Sequence, residues 1–383
     1  MRIVYCLDSI SYLGGIETVV QAKANWFAQS KEHSVYLIVA EHRDITTGNV
    51  ILSDKVNLIN LNINYFEDYW KIRYKLLWSL LKKRFFHLVK LNKILKKISP
   101  DIVISTGMSE KLLLPLIKGN FKILREYHFG KDFRNFTYKE TSSFNRKMLK
   151  IGDFFEKKFI LKRYDSIAVL TQEDLARNWK GWNNISIIPN PVTFSSNKTT
   201  DFSNKKIIAV GRYVEQKDFP LLIGACKFVF TKHPDWKLEI FGEGHMRQSL
   251  QRQIENLKLE KNIFLTGKSS NIANEYQSSS IFVLSSLFEG MPLVLLEAME
   301  TGLAVVSTDC PYGPKDIIDD GIDGYIITNR DERRLAEKIN YLIENPMILK
   351  KIGSAAHKKA QNFKIDKIMT QWLNLFKSLI GTN

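Results

Sequence analysis

The chain has 383 residues, of which 44% are hydrophobic and 25% charged, with three cysteines and a formal net charge of +16. That length and apolar content suit two separately cored domains and exclude a disordered chain or a disulfide-stapled scaffold. No run of about 18 apolar residues offers a membrane span, and Cys6, Cys226 and Cys310 lie in apolar contexts without metal-ligand spacing, as small buried residues of a reducing compartment.

Met1-Arg2 runs straight into the strand-like Ile3-Val4-Tyr5-Cys6-Leu7, so neither a signal peptide nor a spanning helix is expected there. Strand-like apolar runs follow at 34–40, 56–63, 101–107, 122–128, 166–170 and 185–189, alternating with helical patterns. This is the signature of βα repeats around a parallel sheet. The first strand ends in Asp8-Ser9-Ile10-Ser11-Tyr12-Leu13-Gly14-Gly15, with a helix expected near Glu17; a glycine pair there allows backbone amides to approach a phosphate or oxyanion.

Residues 64–98 carry ten Lys and Arg against Glu67 and Asp68. Trp70, Tyr74, Leu77, Leu81, Leu88, Leu91, Leu95 and Ile98 recur at threes, fours and sevens, which predicts one or two amphipathic helices. Two readings stand: a helix packed on its sheet with a solvated basic face, or a membrane-surface helix using Lys82, Lys83 and Arg84. The charge is uneven on a larger scale, because residues 1–199 hold 32 basic against 18 acidic residues and residues 200–383 hold 24 against 22. A polyanionic partner is therefore expected for the first half: anionic lipid headgroups, a lipid-linked pyrophosphate or nucleic acid.

The polar stretch from Pro189-Asn190-Pro191 to Thr200 reads as a linker. It divides a first domain, 1–192, from a second, 193–364, while the apolar-striped segment 365–383 is expected to pack back on the first. The second series of strands falls at 206–212, 236–241, 262–267, 281–286, 304–308 and 324–328. Its first strand ends in Val210-Gly211-Arg212, with Lys217 near the next helix start, where a cation is misplaced unless an anion sits before it; a guanidinium fork plus an ammonium suits a diphosphate. Phe241-Gly242-Glu243-Gly244 and Leu265-Thr266-Gly267 also close strands, with glycines that leave room for a nucleotide. In Ser286-Leu287-Phe288-Glu289-Gly290-Met291-Pro292-Leu293, Pro292 suits a first helical position and Gly290 a close backbone approach. Glu297 follows on that helix, roughly 7.5 Å along from Pro292, so the two carboxylates can accept hydroxyl hydrogens on either side of a diphosphate.

Taken in order, Gly14-Gly15, Ile188-Pro189-Asn190-Pro191, Val210-Gly211-Arg212 with Lys217, Phe241-Gly242-Glu243-Gly244 and Glu289 to Glu297 resemble the pattern of the retaining glycosyltransferase family 4, over nearly the whole chain. The resemblance implies an α/β fold of GT-B type, with two Rossmann-like doubly wound domains facing each other across a cleft. It implies an acceptor on the first domain and a nucleotide-sugar on the second. Arg212 and Lys217 would hold the diphosphate, Glu297 the ribose, and Glu289 with the amides of Gly290, Met291, Pro292 and Leu293 the sugar, Pro292 contributing its backbone only. Gly15 and Gly242 would line the donor site. No metal or other cofactor is expected, in keeping with the absence of any Asp-x-Asp. Family members place a His at the end of a late first-domain strand; this chain reads Arg125-Glu126-Tyr127-His128, so either His128, the preferred candidate, or Tyr127 takes that role. Cys310-Pro311-Tyr312-Gly313-Pro314-Lys315-Asp316 is similar to a stretch of bacterial polysaccharide-assembly members.

The expectation is a cytoplasmic transferase, peripheral on the inner face of the membrane. It would move a hexose or N-acetylhexosamine from a nucleotide-sugar, a UDP-sugar foremost, to a lipid-linked glycan or polysaccharide intermediate. Sugar-nucleotide epimerisation and a non-catalytic GT-B subunit are the alternatives within the fold. From the binding-protein class, a basic α/β module that binds nucleic acid is a further alternative; no helix-turn-helix, zinc-finger or RRM signature supports it, and nucleic acid is not among the expected partners.

Overall fold

A computed structural model describes residues 1–10, 14–41, 52–65, 73–131, 147, 151–194, 196 and 198–381. Ser11, Tyr12, Leu13, Glu67, Asp68 and Trp70, and the side chains of Tyr74 and Leu77, all named above, lie outside the described residues.

The chain forms two compact units: residues 1–169, 179–188 and 368–383, and residues 170–178 and 189–367. The division falls before Pro189 rather than after Val192, because Asn190 and Val192 bond to Met291 and Phe363 of the second unit. In the first, strands β1 (Arg2–Leu7), β2 (Ser34–Val39), β3 (Val56–Asn60), β4 (Ile102–Ser105), β5 (Lys122–Glu126), β6 (Ser166–Val169) and β7 (Ile185–Ile187) form a parallel sheet in the order β3-β2-β1-β4-β5-β6-β7. Ile3 pairs with Val35 on one side and Ile102 on the other. All but the first residue of β1 and all of β4 and β6 are buried, as strands covered on both faces require, whereas edge strand β3 keeps exposed positions. The helix Gly15–Gln29 turns Val19, Val20, Ala24 and Phe27 inward. The C-terminal helix Ile365–Ile380 buries Ile368, Met369, Trp372 and Phe376, and Phe376 stacks on Phe27 with ring centroids 5.4 Å apart.

In the second unit β8 (Lys206–Val210), β9 (Lys237–Phe241), β10 (Ile263–Gly267), β11 (Ile281–Leu284), β12 (Ala304–Thr308) and β13 (Tyr325–Ile327) are parallel in the order β10-β9-β8-β11-β12-β13. Period-two alternation sorts its core onto two faces: Ile207, Ala209, Ile281 and Val283 on one, Ile208, Phe282 and Leu284 on the other. Among the described residues no helix is long and apolar enough to cross a membrane.

Candidate active site

In each sheet the chain leaves one central strand in one direction and returns to the other side. The resulting switch point, where an open parallel sheet binds its ligands beyond the carboxyl ends, lies between β8 and β11 in the second unit and between β1 and β4 in the first. The donor-site residues named from sequence, apart from Gly15 and from Gly242 at the end of the neighbouring β9, cluster at the β8/β11 point or on the helix that follows it.

Beyond β8, Gly211 lets the stem of Lys217 lie across the strand end; a Cβ there would stand 3.0 Å from Lys217 Cε. Lys217 closes a 3-10 turn, Glu215–Lys217, and Asp218 in left-handed backbone (φ 43°) then starts the helix Phe219–Lys232. The Lys217 ammonium meets the Glu289 carboxylate at 2.6 Å, with the two side chains only 14% and 6% exposed. Ser286 donates to the same Glu289 oxygen at 2.5 Å. The anion that explains this cation before a helix is thus the protein's own, so its position alone does not require a diphosphate. Arg212 differs: it is exposed, and while its carbonyl accepts from Val214 N at 2.9 Å, its guanidinium makes no hydrogen bond or ion pair with any described residue.

Glu289 is fixed by its backbone as well, its amide donating to Pro311 O at 2.8 Å. The following turn packs against the Cys310–Asp316 stretch so closely that a Cβ on Gly313 (φ 98°) would approach Pro292 Cδ to 2.7 Å. Asn190 donates through its side-chain amide to Met291 O at 3.4 Å, so the motif before the linker braces this turn. Pro292 is the cap of the helix Leu293–Glu300 rather than its first residue, with ψ 107° instead of a helical value. The amides of Gly290, Met291 and Leu293 have no partners among the described residues and lie just before or in the first turn of this helix, at its positive end. One turn inside, Glu297 accepts from Thr193 Oγ1 at 2.9 Å and Tyr276 Oη at 3.1 Å. Burial raises its pKa, and those two donors oppose the rise. Each oxygen keeps a lone pair for a ligand hydroxyl.

Gly242 (φ 143°) has a different reason from the one its position suggested. A Cβ would fall 1.9 Å from Gly211 O, so the space a side chain would fill is taken by backbone, bridged by Gly211 N to Phe241 O at 2.9 Å. In the first unit the helix begins at Gly15, two residues before the expected start. Glu17 reaches back to accept from Gly14 N at 3.1 Å, occupying one amide of the glycine pair.

His128 and Tyr127, just beyond β5, are separated by their contacts. Tyr127 donates to Glu156 at 3.1 Å and packs on Trp179, 5.3 Å between centroids. His128 is buried; its Nε2 lies 3.6 Å from Glu126 Oε1, too far to bond, and has no hydrogen-bond partner among the described residues. Burial holds its pKa down to about 4, the pull of Glu126 being opposed by Lys23 and Arg125. Lys23, unnoticed in the sequence, makes a buried 2.6 Å ion pair with Glu126 and lies 3.7 Å from the Trp372 ring centre. At the β1/β4 point Glu110 accepts from Ser105 Oγ and Gly107 N, both at 2.8 Å; burial, with Asp8 nearby, raises its pKa to about 7 against the Arg125 charge.

On the basic helix Arg73–Ile98, Leu91, Leu95 and Ile98 are buried as the periodicity predicts, but Leu81 is exposed together with Trp78, Phe85, Phe86 and Val89. Lys82 and Arg84 are exposed; Lys83 is partly covered and donates to Asn64 O.

Residues 194–359 match the family described as Glycosyl transferases group 1. An uncharacterised glycosyltransferase of Haemophilus influenzae is 26% identical over 376 residues, 97% of this chain and 98% of that protein. A poly(ribitol-phosphate) alpha-N-acetylglucosaminyltransferase of Staphylococcus aureus is 32% identical over 221 residues, 57% of this chain but 43% of that protein. Among solved structures, an S. aureus TarM mutant in complex with fondaparinux, alpha-GlcNAc-glycerol and UDP superimposes with a TM-score of 0.77 at 17% identity, covering 98% of this chain and 99% of that one. Residues 194–359 are thus similar to a group 1 glycosyl transferase domain, and the two parallel-sheet units have the GT-B fold of the solved glycosyltransferase structures they superimpose on.

Proposed function

We propose that the protein is a retaining, metal-independent glycosyltransferase of family 4 that moves a hexose or N-acetylhexosamine from a UDP-sugar to a lipid-linked or polysaccharide intermediate at the inner membrane face. The observation that carries this reading is the β8/β11 constellation: an unpaired exposed Arg212, the Lys217–Glu289 pair and partner-free amides ahead of Glu297. Arg212, Lys217 and those amides would stabilise the diphosphate as the bond from C1 to its oxygen breaks, and as preoriented groups they need little reorganisation to do so. An oxygen of the departing diphosphate takes the acceptor hydroxyl's proton while the acceptor oxygen bonds C1 on the same face. Glu297 would hold the ribose, Glu289 the sugar, and His128 of the first unit is the candidate for contact with the transferred sugar. The UDP bound to TarM and the acetylglucosaminyl transfer in the S. aureus relative's name favour this donor class.

The test is slow donor hydrolysis without acceptor across UDP-, GDP- and ADP-sugars, with EDTA present and the first-formed anomer read by NMR. Turnover of a UDP-sugar with retained configuration is expected. Inverted product, loss of turnover in EDTA, or preference for another base would each remove the corresponding part. Release of an epimerised nucleotide-sugar would point to epimerisation instead.

A further inference from the structure

A second basic and aromatic ridge lies on the first unit, outside every motif discussed so far. In the described part of the β5–β6 connection, helical residues 151–155 pass into a π turn, Glu156–Ile160, and a 3-10 turn, Leu161–Arg163. Ile151, Phe154, Phe155 and Phe159 point outward, 42%, 58%, 54% and 50% exposed. Phe155 stacks on Phe159, and Lys158 Nζ stands 5.5 Å from the ring centres of both Phe154 and Phe159. Lys158, Lys162 and Arg163 are exposed, while the segment's two acids are both paired with lysines: Glu156 is turned inward to Lys111 and Lys131 at 2.6 and 2.7 Å, and the partly exposed Asp153 lies 3.5 Å from Lys131.

The helix Arg73–Ile98 presents the same chemistry. Its 26 residues include nine Lys and Arg and no acidic residue, and Trp78, Leu81, Phe85, Phe86 and Val89 are exposed on it. A solvated helix or a protein-binding face ordinarily mixes charge signs; one sign interleaved with half-exposed aromatics suits an anionic, partly apolar surface. Topology relates the two ridges. The β3-to-β4 and β5-to-β6 connections cross the sheet in the same direction, so right-handed crossovers put both on one face, opposite the helix Gly15–Gln29.

We infer that these two ridges form one docking surface for an anionic lipid bilayer, with Phe154, Phe155 and Phe159 entering the interface beside Lys158. A bilayer is the occupant that meets two separate, chemically alike ridges on one face, being continuous and negatively charged. The inference deepens the membrane-peripheral reading above and rests on it. It adds an apolar contact, bolted by Glu156 to Tyr127 through a 3.1 Å hydrogen bond beside His128.

The experiment is co-sedimentation of the full chain with phosphatidylcholine vesicles with and without 30% phosphatidylglycerol. It compares wild type, F154S/F155S/F159S, K82E/K83E/R84E and, as an exposed second-unit control, F264S. Circular dichroism and donor hydrolysis report that each variant is folded. Wild type and F264S should bind the anionic vesicles alike, and each triple variant should lose at least tenfold in partitioning with donor hydrolysis unchanged. If wild type does not bind, the membrane reading itself falls. If wild type binds and only the Lys82 set weakens it, the membrane reading stands and the second ridge is refuted. Equal binding to neutral vesicles would overturn the charge argument.

Discussion

Replacing Lys23 with methionine keeps the aliphatic stem and removes the ammonium from a site where it is 0% exposed and its partner Glu126 2%. Glu126 would then be a buried carboxylate without its 2.6 Å counter-charge and with one oxygen, Oε2, already lacking a partner. Breaking a buried pair from one side costs about 3–5 kcal/mol, and for a unit of this size each kcal/mol is roughly 2–4 °C in Tm, so K23M should lower the first unit's melting temperature by roughly 6–20 °C. The double variant K23M/E126Q, with neither charge, should recover most of that loss. The same substitution acts on His128, whose pKa is held down by burial and by the Lys23 and Arg125 charges against Glu126. A folded pKa of about 4 means that the folded state binds fewer protons than the unfolded chain, so wild-type stability falls as pH drops from about 6.5 toward 4. In K23M Glu126 is opposed by one charge fewer, so that pKa rises and the acid-side loss shrinks. Thermal melts at pH 7.5 and 5, with NMR titration of the His128 ring, measure both effects. K23M within 1 kcal/mol of wild type and an unmoved His128 titration would refute the coupling.

Three further outcomes follow from the geometry. Arg212→Ala, at an exposed site, should leave the melting temperature unchanged while transfer falls on the order of 10²–10³-fold; Lys217→Ala should lose as much activity. Near wild-type rates for both would remove the diphosphate assignment. Gly242→Ala sets a Cβ against Gly211 O in backbone disfavoured for alanine, and should cost about 3 kcal/mol or more in denaturant titrations. Glu110, raised to about 7, is more protonated when folded than unfolded; its contribution to stability is therefore lost as pH rises from about 4.5 to 7, and Glu110→Gln should flatten that slope in melts across the range.

The strands were legible because parallel sheets bury both faces and leave continuous apolar runs such as Ile281–Leu284. Their ends were not: the runs expected to reach Arg212 and Ser286 stop at Val210 and Leu284, since a strand ends with its last ladder pair and the functional residues begin beyond it. The Glu289-to-Glu297 motif could be read as a spacing, but its partners lie far along the chain. Lys217 is 72 residues from Glu289 and Thr193 is 104 from Glu297, distances that only sheet order closes. Lys23 is the opposite case, because its signal was local. It occupies the apolar stripe Val19, Val20, Lys23, Ala24, Phe27, where a solvated lysine has no place. A cation inside such a stripe requires a buried carboxylate, and the helix itself supplies none on that face. In a parallel α/β unit the candidates are the strand ends the helix packs beneath, and Glu126, the last residue of β5, is one of them. The break in the helical pattern thus pointed to a charge at the edge where ligands bind, and only the strand order was needed to say which.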